Sequence, residues 1–209
     1  MKRFLLALSL CTLIGVAQAD IVAPDVLIRT TAQEVISIVK QDAGSKADNQ
    51  KKILAMVDAK VLPNFDFNRM TQLAAGKYWR QATPEQRQAL VAEFRNMLVR
   101  TYTKAFTMYR DQAIEVKPLK MAAGDMETTV RTQIVKVGGQ PTSVDYQMKK
   151  ADDGWKVFDV VIEGVSMVTS YRSTFSSQIE QSGIDSLIKS LADMNATAAS
   201  AALHKADAK

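Results

Sequence analysis

Four carboxylates crowd one short stretch of the chain: Asp152, Asp153, Asp159 and Glu163. Asp159 and Glu163 stand an even number of residues apart in an extended segment, which places them on one face of a strand. Paired carboxylates are the equipment of glycoside hydrolysis, one as general acid and the other as base or nucleophile. A structural reading competes with the catalytic one. Asp152-Asp153-Gly154 has the composition of a tight turn, and Asp159 is placed to pair with a neighbouring Arg or Lys. Other chemistries lack their parts. The only histidine is His204 and the only cysteine is Cys11, both close to the ends of the chain. A nucleophilic triad needs a base beside its nucleophile. A metal site needs clustered His, Cys, Asp or Glu. Gly138-Gly139 reads as a hairpin turn, not as a phosphate-cradling loop. The residues therefore point to a protein that is not an enzyme, with no metal and no cofactor.

The first 19 residues form a separate object. Lys2 and Arg3 precede an uncharged apolar run, Phe4 to Val16, and Ala17-Gln18-Ala19 supplies small residues at a cleavage site. This is a secretory signal pattern, too short for a comfortable membrane span. Cys11 is no lipoprotein site, because Leu10 stands where a small residue is needed and the apolar run continues past it. The expected mature chain starts at Asp20. Of 27 Lys and Arg, removal of Lys2 and Arg3 leaves 25 against 22 Asp and Glu, so the net charge falls from +5 to +3. With no dense basic run, nucleic acid is excluded as a partner. The mature chain has no cysteine, so packing alone must hold it together.

The elements that position these residues change character half-way along. Helical spacing covers the first half: a helix from Pro24 to Lys40, a second capped by Ser45 or Asp48 and running to about Val61, and a short third from Asp66 to Ala75, ended by Gly76. Thr83-Pro84-Glu85-Gln86 is a capping box with proline at the first helical position. It starts a helix to about Tyr109, with Leu90, Phe94, Met97, Leu98, Tyr102, Phe106 and Tyr109 on one face. Past Asp111 the period becomes two. Strands are expected over Ile114–Leu119, Met126–Val137, a segment carrying Val144, Tyr146 and Met148, and Trp155–Ile162, with turns at Gly138–Pro141 and Asp152–Gly154. Gly164 closes the last strand. Ser166 caps a helix over Met167–Gln181, Gly183 breaks it, and a final helix covers Ile184–Met194. The fold class is α+β, with helices flanking one antiparallel sheet of about four strands. The folded domain is expected over 20–195, followed by a frayed or disordered tail over 196–209.

One stretch is distinctive. Asp153-Gly154-Trp155-Lys156-Val157-Phe158-Asp159-Val160, then Glu163-Gly164-Val165-Ser166-Met167-Val168, with Tyr171-Arg172, Phe175 and Gly183, resembles the signature of the MlaC family, also called toluene-tolerance proteins. Gly76-Lys77-Tyr78-Trp79, Thr83-Pro84-Glu85-Gln86-Arg87, Phe94, Leu98 and Tyr102 resemble its central helix, so the likeness runs from about Val26 to Leu191. The resemblance implies a non-catalytic carrier of the Gram-negative periplasm that holds phospholipid by its acyl tails. It also implies two partners: an outer-membrane lipoprotein–porin complex and an inner-membrane ABC transporter complex. The bound phospholipid is cargo, not a cofactor.

A carrier of that kind needs an apolar cavity with few buried polar groups. Val130, Ile134, Val144, Tyr146 and Met148 offer one wall on the sheet. Tyr102, Phe106 and Tyr109 offer a second on the long helix, and Met167, Val168 and Tyr171 a third. Each of these residues also fits an ordinary core. A different class of reading is a periplasmic chaperone or adaptor that binds polypeptide in the same apolar groove.

Overall fold

The backbone changes regime where the hydrophobic period does. The computed structural model describes residues 21–41, 52–106, 112–136 and 138–207. Their order is α1 (Pro24–Gln41); α2 (52–56), continued by a π-helical turn Val57–Val61 and a 3-10 turn Leu62–Asn64; α3 (Phe67–Ala75) with a 3-10 turn Gly76–Arg80; α4 (Pro84–Phe106); β1 (Gln112–Val116); β2 (Glu127–Lys136); β3 (Thr142–Ala151); β4 (Gly154–Ile162); β5 (Val165–Ser166); and α5 (Met167–Asp207). The class is α+β, as expected. The strands form one antiparallel meander in the order β1-β2-β3-β4-β5. The expected signal peptide (1–19) and the candidate caps Ser45 and Asp48 lie outside the described residues.

Local chemistry accounts for most boundaries. Asp66 Oδ1 accepts from Arg69 N at 2.8 Å and caps α3. Thr83 and Gln86 exchange hydrogen bonds of 3.0 and 3.2 Å, closing the capping box of α4. Gly183 (φ 82°) breaks α5 into two arms. β1 starts two residues earlier than the spacing predicts, and it ends earlier because Pro118 has no N–H for the ladder. Lys117 N to Arg131 O (2.9 Å) is the last rung. A fifth strand arises because Glu163 (φ 49°) and Gly164 (φ 80°) make a tight two-residue turn that lays Val165–Ser166 back on β4. α5 continues to Asp207, past the point at 196 where composition predicts a tail. Alanine, the best helix former, needs little burial to carry it.

Three apolar clusters hold the elements together. The helical cluster joins α3, α4 and α5 through Met70, Leu90, Phe94, Phe175 and Leu187. The sheet cluster joins Val130, Val144, Met148 and Val157 to Ile28 of α1. A smaller one packs Val35 of α1 on Ile53, Met56 and Val57. Phe65 and Met167 pack against both the helical and the sheet clusters. Phe65 also bridges to Val157, and Asp66 N donates to Val157 O at 2.8 Å, so this segment covers the part of the β4 edge that β5 does not reach.

Candidate functional site

Residues directly opposite one another in an antiparallel pair share a face. The pairing therefore sorts the sheet into rows. Val130, Tyr146 and Val160 form the middle row, Thr132, Val144 and Ile162 the next, and Thr128, Met148 and Val157 the row on its other side. Ile114 and Ile134 extend this face on β1 and β2. It is the inner face: Val130, Met148 and Val157 are fully buried. The alternate positions carry Arg131 and Asp145, an ion pair at 3.9 Å on the outer face.

The β3–β4 register slips between Gln147 and Met148, so that Met148 faces Val157 while Gln147 faces Asp159. This is a β-bulge at Phe158. Uninterrupted alternation from Val157 would turn Asp159 and Val161 inward. The bulge re-phases the strand, sends Val160 and Ile162 inward, and takes the carboxylate off the inner face. Asp159, 5% exposed, accepts from Ser166 Oγ at 2.5 Å and from Val168 N at 3.2 Å. It anchors the start of α5. Its partners are a hydroxyl and an amide, not the Arg or Lys that its sequence context predicts. Glu163 lies beyond the strand in the positive-φ turn and accepts from Ser143 N. The two carboxylates therefore do not share a face, and they do not form a catalytic pair.

Two polar side chains remain on the inner face near its centre. Thr132, 1% exposed, is silenced, because its Oγ1 donates to Val144 O at 2.7 Å. Tyr146 is half-buried and packs against the sheet cluster. Burial pushes its phenol up to about 12, so it remains an O–H at any physiological pH. Among the described residues its hydroxyl has no hydrogen-bond partner.

The structure divides the residues singled out from the sequence. Val130, Ile134, Val144, Tyr146 and Met148 come together in the sheet cluster, with Met167 packed against it. Tyr102, Val168 and Tyr171 join the helical cluster instead, and Met167 touches that one too. Tyr171 lies edge-on to Phe94, centroids 5.3 Å apart. Burial raises the Tyr102 phenol, as do the nearby Tyr171 and a hydrogen bond with it. Tyr109 and the side chain of Phe106 lie outside the described residues. The sheet cluster also holds Trp155, Val157 and Val160 of β4, Ile28 of α1 and Phe65, which the sequence reading did not group with the residues of β2 and β3. The signal was the nearly unbroken apolar run of β4, typical of a strand covered on both faces.

A groove of about 600 Å³ runs along the C-terminal arm of α5 between Ser186 and Ala198. It shares no residue with the sheet cluster, and the Lys189–Asp193 ion pair (2.7 Å) lies in it. Among the described residues no group of His, Cys, Asp and Glu could hold a metal ion. No helix among them is long and apolar enough to cross a membrane.

The model of the MlaC protein family matches residues 29–193, from within α1 to within α5. This chain belongs to the MlaC family. Its matched region contains the helical cluster and all of the sheet cluster except Leu27 and Ile28 of α1. A solved structure of the phospholipid-binding protein from Ralstonia solanacearum, in complex with a phospholipid, is similar at 34% identity and a TM-score of 0.77, covering 85% of this chain and 99% of that one. The Intermembrane phospholipid transport system binding protein MlaC of Haemophilus influenzae is 24% identical, with 88% of this chain and 86% of that protein covered. The toluene tolerance protein ttg2D of Pseudomonas putida is 25% identical over 78% and 75%. The residues that carry the family likeness are joints of the fold. Arg172 donates to Leu73 O at 3.0 and 2.8 Å, tying α5 to the end of α3. Arg87 stacks over Trp79 and donates to its carbonyl at 2.9 Å. Tyr78 donates to Glu180.

Proposed function

We propose that this chain is a periplasmic phospholipid carrier whose acyl-tail site is the inner sheet face of Val130, Ile134, Val144, Tyr146 and Met148, closed by Met167 and Phe65. The observation that carries the reading is the likeness, over nearly the whole of that chain, to a phospholipid-binding protein solved with its lipid. The name of one relative, an intermembrane phospholipid transport system binding protein, supports transport between membranes; on the family resemblance the proposal adds exchange between an outer-membrane lipoprotein–porin complex and an inner-membrane ABC transporter complex, which would maintain outer-membrane lipid asymmetry. The signal pattern of residues 1–19 supports secretion to that compartment. The chain is read as non-enzymatic, with phospholipid as cargo.

Magnitudes constrain the mechanism. A methylene moved out of water contributes about 0.8 kcal/mol. About thirty of them total about 24 kcal/mol, above the practical ceiling of about 18–21 kcal/mol. Release into water is negligible at that scale. Exchange with a bilayer trades hydrocarbon for hydrocarbon at nearly no net cost, so direction comes from the docking partners. The test is organic extraction of the purified mature protein followed by lipid mass spectrometry. Near-stoichiometric phospholipid is expected. Protein that carries no lipid, takes none from vesicles and binds unfolded polypeptide would overturn the reading in favour of a chaperone or adaptor.

A further inference from the structure

We infer that the Tyr146 hydroxyl is a hydrogen-bond donor to a glycerol ester carbonyl of the bound phospholipid. The inference rests on the carrier reading and refines it. Tyr146 occupies the centre of the inner face, between Val130 and Val160 in its own row and with Val144 and Met148 two residues away on β3. All four neighbours are buried hydrophobics. A hydroxyl on an apolar wall with no protein partner loses its water when hydrocarbon covers it, and a phenylalanine would fill the same space without that cost. Thr132 is the internal contrast: its hydroxyl is bonded to Val144 O, whereas the Tyr146 hydroxyl makes no hydrogen bond among the described residues.

The chemistry of the surroundings selects the acceptor. A phosphate would bring a negative charge that needs a cation beside it. Arg131, the basic residue of the neighbouring stretch of β2, faces outward toward Asp145. An ester carbonyl is neutral, takes one O–H donor, and lies at the junction between the tails and the headgroup. The phenol is held in its donor form by burial. The donor therefore fixes how deep the glycerol sits, while the apolar rows accept the tails without regard to their length.

The test compares a diester phosphatidylglycerol with the diether lipid of the same headgroup and chain length, which lacks both carbonyls. The delipidated protein is incubated with vesicles holding the two in equal amounts, and the captured lipids are counted by mass spectrometry. Wild type is expected to take the diester over the diether by about fivefold, the factor a typical net hydrogen bond supplies. Tyr146→Phe, which keeps the ring, is expected to bring that ratio close to one. Equal capture by wild type, or an unchanged ratio in Tyr146→Phe, overturns the inference and leaves the carrier reading standing. Capture of neither lipid by wild type overturns both.

Discussion

Asp159→Asn tests the claim that the one buried carboxylate among the described residues is a joint and not a catalyst. The change keeps the side-chain volume and removes the charge. Two hydrogen bonds weaken together, from Ser166 Oγ (2.5 Å) and Val168 N (3.2 Å). A bond to a charged acceptor contributes about 1.5–3 kcal/mol, and a negative charge at a helix start adds about 0.3–1 kcal/mol. Asparagine keeps one acceptor, so the expected net loss is about 2–3 kcal/mol. For a domain of this size that lowers Tm by roughly 5–10 °C. Glu163→Gln, at an exposed turn, is expected to cost less than about 0.5 kcal/mol. A double-mutant cycle of Asp159→Asn with Ser166→Ala should give a coupling of about 1 kcal/mol or more. Urea denaturation and thermal melts measure all three. Below its melting range Asp159→Asn should carry as much phospholipid as wild type. An Asp159→Asn protein as stable as wild type would refute the anchoring argument. Loss of lipid transfer by a folded, loaded variant would restore a functional role to the carboxylate.

Met148→Glu and Val168→Glu are expected to separate the two clusters. The first should give a folded protein that has lost most of its co-purifying lipid, because the proposed cavity, once vacated, would admit water around the charge; the second should fail to fold, because Val168 is locked among packed helices. Circular dichroism and lipid mass spectrometry on one sample decide, and a fully loaded Met148→Glu would remove that residue from the wall. The Tyr146 phenol, raised from 10.0 to about 12 by burial, resists ionisation in the fold. Its contribution to stability is complete below pH 10 and is lost between about pH 10 and 12, so the gap in stability between wild type and Tyr146→Phe should shift across that window, as read by pH-dependent urea melts. N-terminal sequencing of the secreted protein should begin at Asp20; an intact Met1 or a lipid-modified Cys11 would contradict the processing reading.

What was legible in the sequence was local. The capping box of Thr83 and Gln86, the Asp66 cap, Pro84 and the break at Gly183 act within a turn or two of the chain, and each lies where its spacing indicates. The inner positions of β2 and β3 were legible because unbroken alternation fixes a face. Positions set by long-range pairing were not. The bulge opposite Gln147 depends on how β4 meets β3, and it overturns the face assignment of Asp159 made from alternation alone. Which cluster an aromatic residue joins was not legible for a similar reason. Tyr102 and Tyr171 lie on apolar helix faces, but helical spacing does not say whether a face meets the sheet or another helix, and both meet Phe94's cluster.

The separation of the two clusters suits a carrier that works by exchange. A site that gives up its ligand must tolerate being empty, and a tightly packed core does not, since removing buried methylenes costs both transfer energy and cavity energy. If the exchangeable volume lies against the sheet, as proposed, the helical cluster, with its Phe94–Phe175 edge contact (5.1 Å) and the Arg172 clamp on Leu73 O, is left to hold the fold through the empty state. The two regions meet through few side chains: Phe65 and Met167 pack on both, and Asp159 ties β4 to the first turn of α5. The bulge at Phe158 is what reconciles these demands. It turns Asp159 toward the α5 joint and at the same time keeps Val157 and Val160 inward, so a charged anchor and an apolar wall are built from one continuous strand.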